Sequence, residues 1–252
     1  MKNHEWTEAV AKVLPFVVKI ETPDSYGSGF LIVYQPQGKH TGVAIATAAH
    51  VVKHASDWRE MIRLTSNHGQ VILKPDYYEV VNFEDQDLAL LEFLNDGLLA
   101  FPSICLPWCN KNEVLPAGSP VGWCGFPNIA DNYCCFFGGM ISAACAGSGD
   151  YLVDGVVING VSGGPAFVLR GNEPHLIGLV SAYFPNEATG KPSPGLGFIA
   201  SISPMLHFFA KENKVIAETK RTAMARRTAA SMKRKSSKSK EYSGIGSDIV
   251  NK

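Results

Sequence analysis

The sequence predicts an all-β fold, and two observations support that prediction. Short runs rich in β-branched and aromatic residues are separated by Gly, Pro, Asn and Asp, which is the pattern of strands joined by turns. The chain has 252 residues, 46% of them hydrophobic, which is enough for a sizeable core. Since all-β units of about 200 residues are common, we expect one β-rich domain over residues 1–210 and a basic segment over residues 211–252.

The first half of the chain is predicted to contain one helix followed by short strands. The helix covers residues 4–14 and ends before Pro15, because a residue that precedes proline avoids the helical conformation. The strand-like runs after it are bounded by turn residues. They are residues 16–20, 29–33, 43–47, 61–64, 71–73 and 88–93.

The second half begins with a proline-containing stretch, residues 106–118, which we interpret as the crossing between two β-rich halves. A C-terminal helix is predicted to begin at Pro204 and to reach about residue 230, because Ala, Glu, Lys and Arg are frequent there. The strand-like runs between these segments are residues 120–124, 134–141, 155–158, 166–169, 176–183 and 197–202.

Charge is unevenly distributed along the chain, although the formal net charge is +0. Residues 1–210 contain 11 Lys and Arg against 19 Asp and Glu, whereas residues 211–252 contain 12 against 4. From Lys233 onward the Lys- and Ser-rich sequence is typical of a disordered, solvated segment. Binding of nucleic acid or of an acidic partner is the alternative interpretation of this basic segment. Tyr242 is its only aromatic residue, so stacking on bases is not indicated.

Cysteine spacing and hydropathy limit the other function classes. The pairs Cys105/Cys109 and Cys134/Cys135 lack the spacing of a zinc finger or ribbon, so we expect free, mostly buried thiols. No metal and no organic cofactor is expected. No run of about 18 apolar residues predicts a membrane span. The polar N-terminus, residues 1–12, lacks the apolar core of a secretory signal, so a cytoplasmic location is expected.

A serine in a glycine-rich turn, Gly160–Pro165 (GVSGGP), is the strongest functional signal. Ser162 on such a turn can act as a nucleophile if a base accepts its proton and nearby donors stabilise the oxyanion. His50 and Asp87 are the candidates for the base and the acid. The Gly-x-Ser-x-Gly pattern also fits the nucleophile elbow of α/β-hydrolases, but those enzymes follow the order Ser, acid, His. The order His, Asp, Ser matches the chymotrypsin-type proteases instead.

The segments around these residues resemble chymotrypsin-like serine proteases, and most closely the HtrA type. Residues 47–51 (TAAHV) are similar to the family's segment around the catalytic base, and residues 87–90 (DLAL) to the strand that follows its acid. The likeness covers roughly residues 10–205. It implies two six-stranded antiparallel β-barrels with a C-terminal helix and a basic tail. Further similar segments are residues 27–32, 125–127, 139–142, 177–179 and 195–199.

The resemblance assigns a role to each candidate. Ser162 is the nucleophile, His50 the general base and Asp87 the acid that orients His50, while the N–H groups of Gly160 and Ser162 form the oxyanion hole. Asp85 is a rival for Asp87, because residues two apart face the same side of a strand. The Leu-Ala-Leu sequence that follows favours Asp87.

His50 has a second interpretation as a metal ligand. His50 and His54 are four residues apart and could share one helix face, but the sequence offers no obvious third ligand. Val161 stands where trypsin-like zymogens carry the Asp that pairs with a new N-terminus. Activation by N-terminal cleavage is therefore not expected.

The resemblance also indicates a substrate pocket. Val156 stands where trypsin-like enzymes carry an acid, so we expect the pocket (S1) to accept a small or medium apolar side chain. The residues implied in substrate binding are Val156, Ser181, Ala182, Tyr183 and Gly197.

These features predict a serine endopeptidase that acts on protein or peptide substrates. HtrA proteins usually carry a peptide-binding PDZ domain, and the 42 residues after Ala210 are too few for one. We therefore expect regulation by a partner protein or by loop ordering. The alternatives are a protease-fold scaffold with an idle site and a nucleic-acid-associated protein that acts through the basic segment.

Overall fold

A computed structural model of the chain describes residues 3–37, 40–95, 97–109, 113–185 and 192–209. The chain divides into two units, Met1–Pro204 and Met205–Lys252. Residues 203–209 are helical, in agreement with the predicted start of a C-terminal helix. The basic segment 211–252 and the predicted continuation of this helix lie outside the described residues.

The first β-sheet is antiparallel and contains seven strands within the described residues. Helix α1 (Asn3–Val13) precedes the sheet, and helix α2 (Ala49–Asp57) lies between its third and fourth strands. The strands are β1 (Val17–Glu21), β2 (Tyr26–Gln37), β3 (His40–Ala48), β4 (Ile62–Ser66), β5 (Gly69–Leu73), β6 (Tyr78–Phe83) and β7 (Leu88–Leu94). Their order across the sheet is β5-β4-β1-β2-β3-β7-β6.

All six strands predicted for this half are present, and the sheet gains one more, β6. β6 lies at the edge of the sheet, where among the described residues it pairs only with β7. Most of its residues are half-buried, so they lack the alternation that marks a strand with one buried face. Helix α2 was also missed, because its nine residues are too few for a clear helical period.

The second sheet is a closed antiparallel barrel of six strands, with the order β10-β13-β12-β11-β8-β9. Together with the curled first sheet, this barrel confirms the predicted chymotrypsin-like fold class. Its strands are β8 (Pro120–Gly125), β9 (Cys135–Ala144), β10 (Tyr151–Asp154), β11 (Pro165–Arg170), β12 (Glu173–Pro185) and β13 (Pro192–Ala200).

The predicted strand at residues 155–158 is wrong. The strand β10 ends at Asp154, and the chain then passes tightly over an indole ring, since a Cβ at Gly155 would lie 2.4 Å from Trp123. The Trp123 indole N–H donates to the Val156 carbonyl at 3.2 Å. Residues 155–158 therefore leave the sheet and lead into the serine turn.

Each sheet encloses its own apolar core. Large side chains such as Phe30, Leu90 and Leu91 are fully buried in the first half, and Trp123 and Phe167 in the second. Helix α1 contributes Trp6, whose ring lies 5.5 Å from Phe136 and 5.8 Å from Phe167. Within the described residues, no helix is both long and apolar enough to cross a membrane.

All six cysteines are free thiols, as predicted, but only Cys124 is buried and the other five are half-buried. Burial raises the pKa of Cys124 far above its usual range and raises that of Cys134 to about 12. At neutral pH these two thiols are therefore protonated and unreactive.

Candidate active site

The pairing of β3 with β7 brings His50 and Asp87 together. Ala48 at the end of β3 lies opposite Leu88 at the start of β7, so the residues just beyond them are neighbours. The Asp87 carboxylate lies 2.9 Å from His50 Nδ1 through Oδ2 and 3.1 Å through Oδ1. Oδ1 also accepts the backbone N–H of His50 at 3.0 Å. The carboxylate thus fixes both the ring and the first turn of α2.

The backbone of Asp87 explains why Asp85 does not take this place. Residues Glu84–Gln86 form a 3-10 turn, so the two-residue period of a strand does not apply to this segment. Asp87 has φ 49° and ψ 41°, a left-handed conformation that Asp tolerates better than most residues. Its carbonyl oxygen accepts the N–H of Ala49 at 3.0 Å. Asp85 is exposed, and the histidine faces Asp87.

Ser181 contacts the same carboxylate from the second sheet. It is the extra residue of a β-bulge, because Val180 pairs with Ile199 and Ala182 with Phe198. Bulges re-aim side chains, and here the buried Ser181 hydroxyl donates to Asp87 Oδ2 at 2.7 Å. The sequence predicted Ser181 as a pocket residue and missed this contact with the acid.

The pKa of Asp87 lies below the ordinary value of 3.8. Burial by itself would raise this pKa, but the hydrogen bonds from His50 and Ser181 favour the charged form and outweigh it. Asp87 is therefore ionised at neutral pH, and it accepts a hydrogen bond from His50 Nδ1 when that nitrogen carries the proton.

The turn that carries Ser162 is attached to both sheets. Its Gly163 N–H donates to the Val180 carbonyl at 2.6 Å, and the Ser162 carbonyl accepts the N–H of Ser28 at 2.8 Å. Gly163 has φ +86°, and a Cβ there would lie 2.0 Å from the Ser28 carbonyl oxygen, so only glycine fits. The strand β12 thus holds the serine turn through Val180 and the acid through the next residue, Ser181.

Ser162 itself is half-exposed. Within the described part of the chain, no hydrogen bond joins its Oγ to His50. The turn nevertheless lies beside the start of α2, since a Cβ at Gly163 would be 2.9 Å from the Ala48 nitrogen. The structure therefore brings all three predicted residues to one place, with the serine and histidine not yet bonded.

Two backbone N–H groups of the serine turn, those of Gly160 and Ser162, donate no hydrogen bond within the described residues. The Asn159 carbonyl accepts the N–H of Asn128 at 2.9 Å, and the Val161 carbonyl accepts the N–H of Gly164 at 2.9 Å. In a trans peptide the N–H points away from the carbonyl, so the N–H groups of Gly160 and Ser162 face the other way. Neither donates a hydrogen bond among the described residues. Such paired donors can stabilise a developing oxyanion.

The predicted pocket residues are only partly brought together. Val156 is 51% exposed, whereas Val157 is buried and packs against Gly197, where a Cβ would lie 2.3 Å from Val157 Cγ2. Tyr183 pairs with Gly197 through the backbone of β12 and β13. The side chains of Ala182 and Tyr183 lie outside the described residues.

His54 takes part in a separate group of charges. Its Nδ1 lies 2.9 Å from Asp24 and 3.4 Å from Glu60, whereas Nδ1 of His50 faces Asp87. The ligand atoms of Asp24, His54 and Glu60 lie within 4.8 Å of one another, a set that the sequence alone did not reveal. All three side chains contact solvent, and a single nitrogen of His54 lies within 3.4 Å of both carboxylates.

Comparison with known proteins supports the fold at low sequence identity. No family model and no curated protein matches the sequence. A solved structure of Rv3671c from M. tuberculosis H37Rv, in an inactive form, has a TM-score of 0.57 and 22% identity, and covers 81% of this chain and 89% of that one. Deg5 has a TM-score of 0.61 and 19% identity, with 82% and 92% covered. The serine endoprotease from Yersinia pestis has a TM-score of 0.59 and 22% identity, and the match covers 82% of this chain and 65% of that one.

These similarities agree with the resemblance seen in the motifs. The chain has a chymotrypsin-like fold.

Proposed function

We propose that this protein is a serine endopeptidase that hydrolyses peptide bonds of protein substrates through an acyl-enzyme. The observation that carries the proposal is that His50 and Ser181 are both hydrogen-bonded to Asp87, while Val180, the residue before Ser181, is hydrogen-bonded to the turn of Ser162. The free N–H groups of Gly160 and Ser162 beside that turn support the same chemistry. Similar folds include a protein described as a serine endoprotease, from Yersinia pestis.

In this mechanism the proton moves between Ser162, His50 and the substrate. Asp87 accepts the Nδ1–H of His50, which leaves Nε2 with a lone pair. Nε2 removes the Ser162 proton as Oγ attacks the scissile carbonyl carbon, and the carbonyl oxygen becomes an oxyanion held by the Gly160 and Ser162 N–H groups. Collapse of this intermediate breaks the C–N bond, and His50 gives its proton to the leaving amine.

Water completes the cycle by the same route. His50 accepts a proton from water, the resulting hydroxide attacks the acyl carbon, and the C–O bond to Ser162 breaks as its oxygen regains a proton. Apart from the substrate and water, the groups that these steps use are side chains and backbone N–H groups of the chain. The apolar Val156 supports the proposal that the S1 pocket takes a small or medium apolar side chain.

Regulation by a partner protein or by loop ordering is part of the proposal. The half-exposed Ser162 makes no hydrogen bond to His50 within the described residues, and catalytic bonds of this kind often tighten only when substrate binds. A segment or partner that brings Ser162 into hydrogen-bond contact with His50 would raise the activity without any covalent change in the chain.

A fluorophosphonate probe tests the proposal directly, because it reacts only with a serine that has a working base and oxyanion donors. The native chain should be labelled, and Ser162→Ala and His50→Ala should not. Casein cleavage by the native chain should disappear in the same two variants. Absence of labelling and of cleavage in the native chain would instead favour a protease-fold binding protein with an idle site.

A further inference from the structure

Ser28 is a polar residue in a position that is otherwise reserved for the core. It lies in β2 between Gly27 and Gly29, pairs with Lys19 of β1, and is 0% exposed. A buried hydroxyl costs free energy unless it is hydrogen-bonded. A serine that is fully buried in this strand therefore requires specific hydrogen-bond partners.

The partners of Ser28 are concentrated on the serine turn. Its backbone N–H donates to the Ser162 carbonyl at 2.8 Å, and its Oγ donates to the Gly160 carbonyl at 2.7 Å. The same Oγ accepts the N–H of Phe126 at 2.8 Å, and the Ser28 carbonyl accepts Thr47 Oγ1 at 2.7 Å. Ser28 thus binds the carbonyl oxygen of both residues whose N–H groups are free.

We propose that Ser28 is a positioning residue that sets the direction of the oxyanion-hole N–H groups. This inference depends on the proposed function, because it assigns a part to Ser28 in the same reaction. It also adds a residue of the first sheet to a hole that is otherwise built from the second.

The direction of the Gly160 N–H depends on the backbone angles of Gly160. This residue has φ +93°, and glycine has more backbone freedom than any other residue. Two planar peptides meet at its Cα, and the orientation of each is set by its own carbonyl. The Asn159 carbonyl is held by Asn128 and the Gly160 carbonyl by the Ser28 hydroxyl. The Gly160 N–H belongs to the peptide that Asn128 holds, and the Ser28 hydroxyl holds the next peptide, so Gly160 cannot change its φ and ψ angles and turn that N–H away.

The packing around Ser28 leaves no room for a water molecule to replace its hydroxyl group. A Cβ at Gly125 would lie 2.8 Å from Ser28 Oγ, and a Cβ at Gly160 would lie 2.3 Å from the Phe126 carbonyl oxygen. The space freed by one hydroxyl oxygen is far smaller than the roughly 30 Å³ that a water molecule occupies in the liquid. Removal of the hydroxyl therefore leaves the Gly160 carbonyl and the Phe126 N–H without a partner, and the turn rotates to find one.

The test uses Ser28→Ala with Ser201→Ala as its matched control. Ser201 is also a buried serine, and its Oγ also donates one bond and accepts one, both with Ser203. We expect Ser28→Ala to lower the acylation rate constant with p-nitrophenyl acetate, and the rate of fluorophosphonate labelling, by at least about 10-fold. The half-saturating ester concentration should stay unchanged, and Ser201→Ala should react at the native rate. Equal rates in Ser28→Ala and the native chain, or equal losses in both variants, would overturn the inference.

A second readout does not depend on activity. In ¹⁵N-glycine-labelled protein, Ser28→Ala should shift or broaden the amide signal of Gly160, and Ser201→Ala should leave it in place. An unchanged Gly160 signal in Ser28→Ala would overturn the inference even if the native chain proved inactive. Lack of labelling in the native chain overturns the proposed function alone. If Ser28→Ala does not fold, Ser28→Cys, which keeps a weaker S–H donor, replaces it, with Ser201→Cys as its control.

Discussion

The Ser181 hydroxyl donates a 2.7 Å hydrogen bond to the Asp87 carboxylate, although 94 residues separate the two in the sequence. Ser181 belongs to β12 in the closed barrel, whereas Asp87 immediately precedes β7 in the first sheet. The candidate acid is therefore held by both sheets, through His50 on one side and Ser181 on the other.

Ser181→Ala should lower activity without abolishing it. The change removes one of the hydrogen bonds that favour the charged form of Asp87, and a bond to a charged group is worth about 1.5–3 kcal/mol. His50 keeps its own bonds to the carboxylate, so we expect kcat to fall by about 10-fold, a smaller loss than for any change at His50. Steady-state cleavage of casein measures it, and a fall as large as that of His50→Ala would contradict this account.

Asp87→Asn should reduce kcat by about 10⁴-fold, the cost of losing the acid that orients a catalytic histidine. Asp85→Asn is the matched control, since Asp85 is exposed, two residues away and chemically identical. We expect it to retain native activity. Comparable losses in both variants would show that the charge of the segment matters and not the contact with His50.

A fall in pH should remove the contribution that the ionised Asp87 carboxylate makes to the stability of the fold. Because the pKa of Asp87 in the folded chain lies below the ordinary value of 3.8, its contribution is fully present above that value. The contribution is lost as the pH falls through the folded pKa. The difference in Tm between the native chain and Asp87→Asn should therefore be larger at pH 7 than at pH 3. Thermal melts at the two pH values measure this, and a difference that grows in acid would reverse the assigned direction.

Gly160→Ala should be strongly destabilising and should abolish labelling by the probe. Its φ of +93° disfavours a side chain, and the new Cβ would lie 2.3 Å from the Phe126 carbonyl oxygen. The left-handed backbone costs about 1–2 kcal/mol, and overpacking adds about 1–3 kcal/mol. Gly171→Ala separates the two effects, because Gly171 also has positive φ, +62°, but no described atom lies within 4 Å of its Cβ position. Urea denaturation should show only the backbone cost in Gly171→Ala, and equal losses would exclude the steric contribution.

Val156→Asp should change which bonds are cleaved. The native chain is expected to prefer a small or medium apolar residue before the scissile bond, whereas a carboxylate at this half-exposed position should attract Lys or Arg. Mass spectrometry of a digested peptide mixture reports both preferences. An unchanged cleavage pattern would place Val156 outside the S1 pocket.

The sequence was sufficient to predict the fold and the three side chains because these depend on local patterns. Strands such as β1 and β7 carry continuous apolar runs, and Ser162 lies in a turn whose glycines are required by its geometry. The edge strand β6 escaped prediction because its residues are only half-buried. Short local motifs therefore predicted three residues that the structure places near one another.

The contacts that assemble the site could not be predicted, because they join residues far apart in the sequence. Nothing near Ser28 indicates that its hydroxyl reaches Gly160, which is 132 residues away. Ser181 was assigned to the pocket from the resemblance to the family, and that assignment gave no sign of the bulge that turns its hydroxyl toward Asp87. Register irregularities of this kind leave no mark on a pattern of alternating residues.

The bulge at Ser181 implies that regular strand pairing and the contact with Asp87 make opposite demands on β12. Deletion of this one residue would let Val180 and Ala182 pair without interruption, yet it would separate the acid from the strand that carries the serine turn. A redesign that optimised only the regular pairing of β12 would therefore remove Ser181 first. A strand with uninterrupted pairing and a strand that reaches Asp87 therefore differ by a single inserted residue.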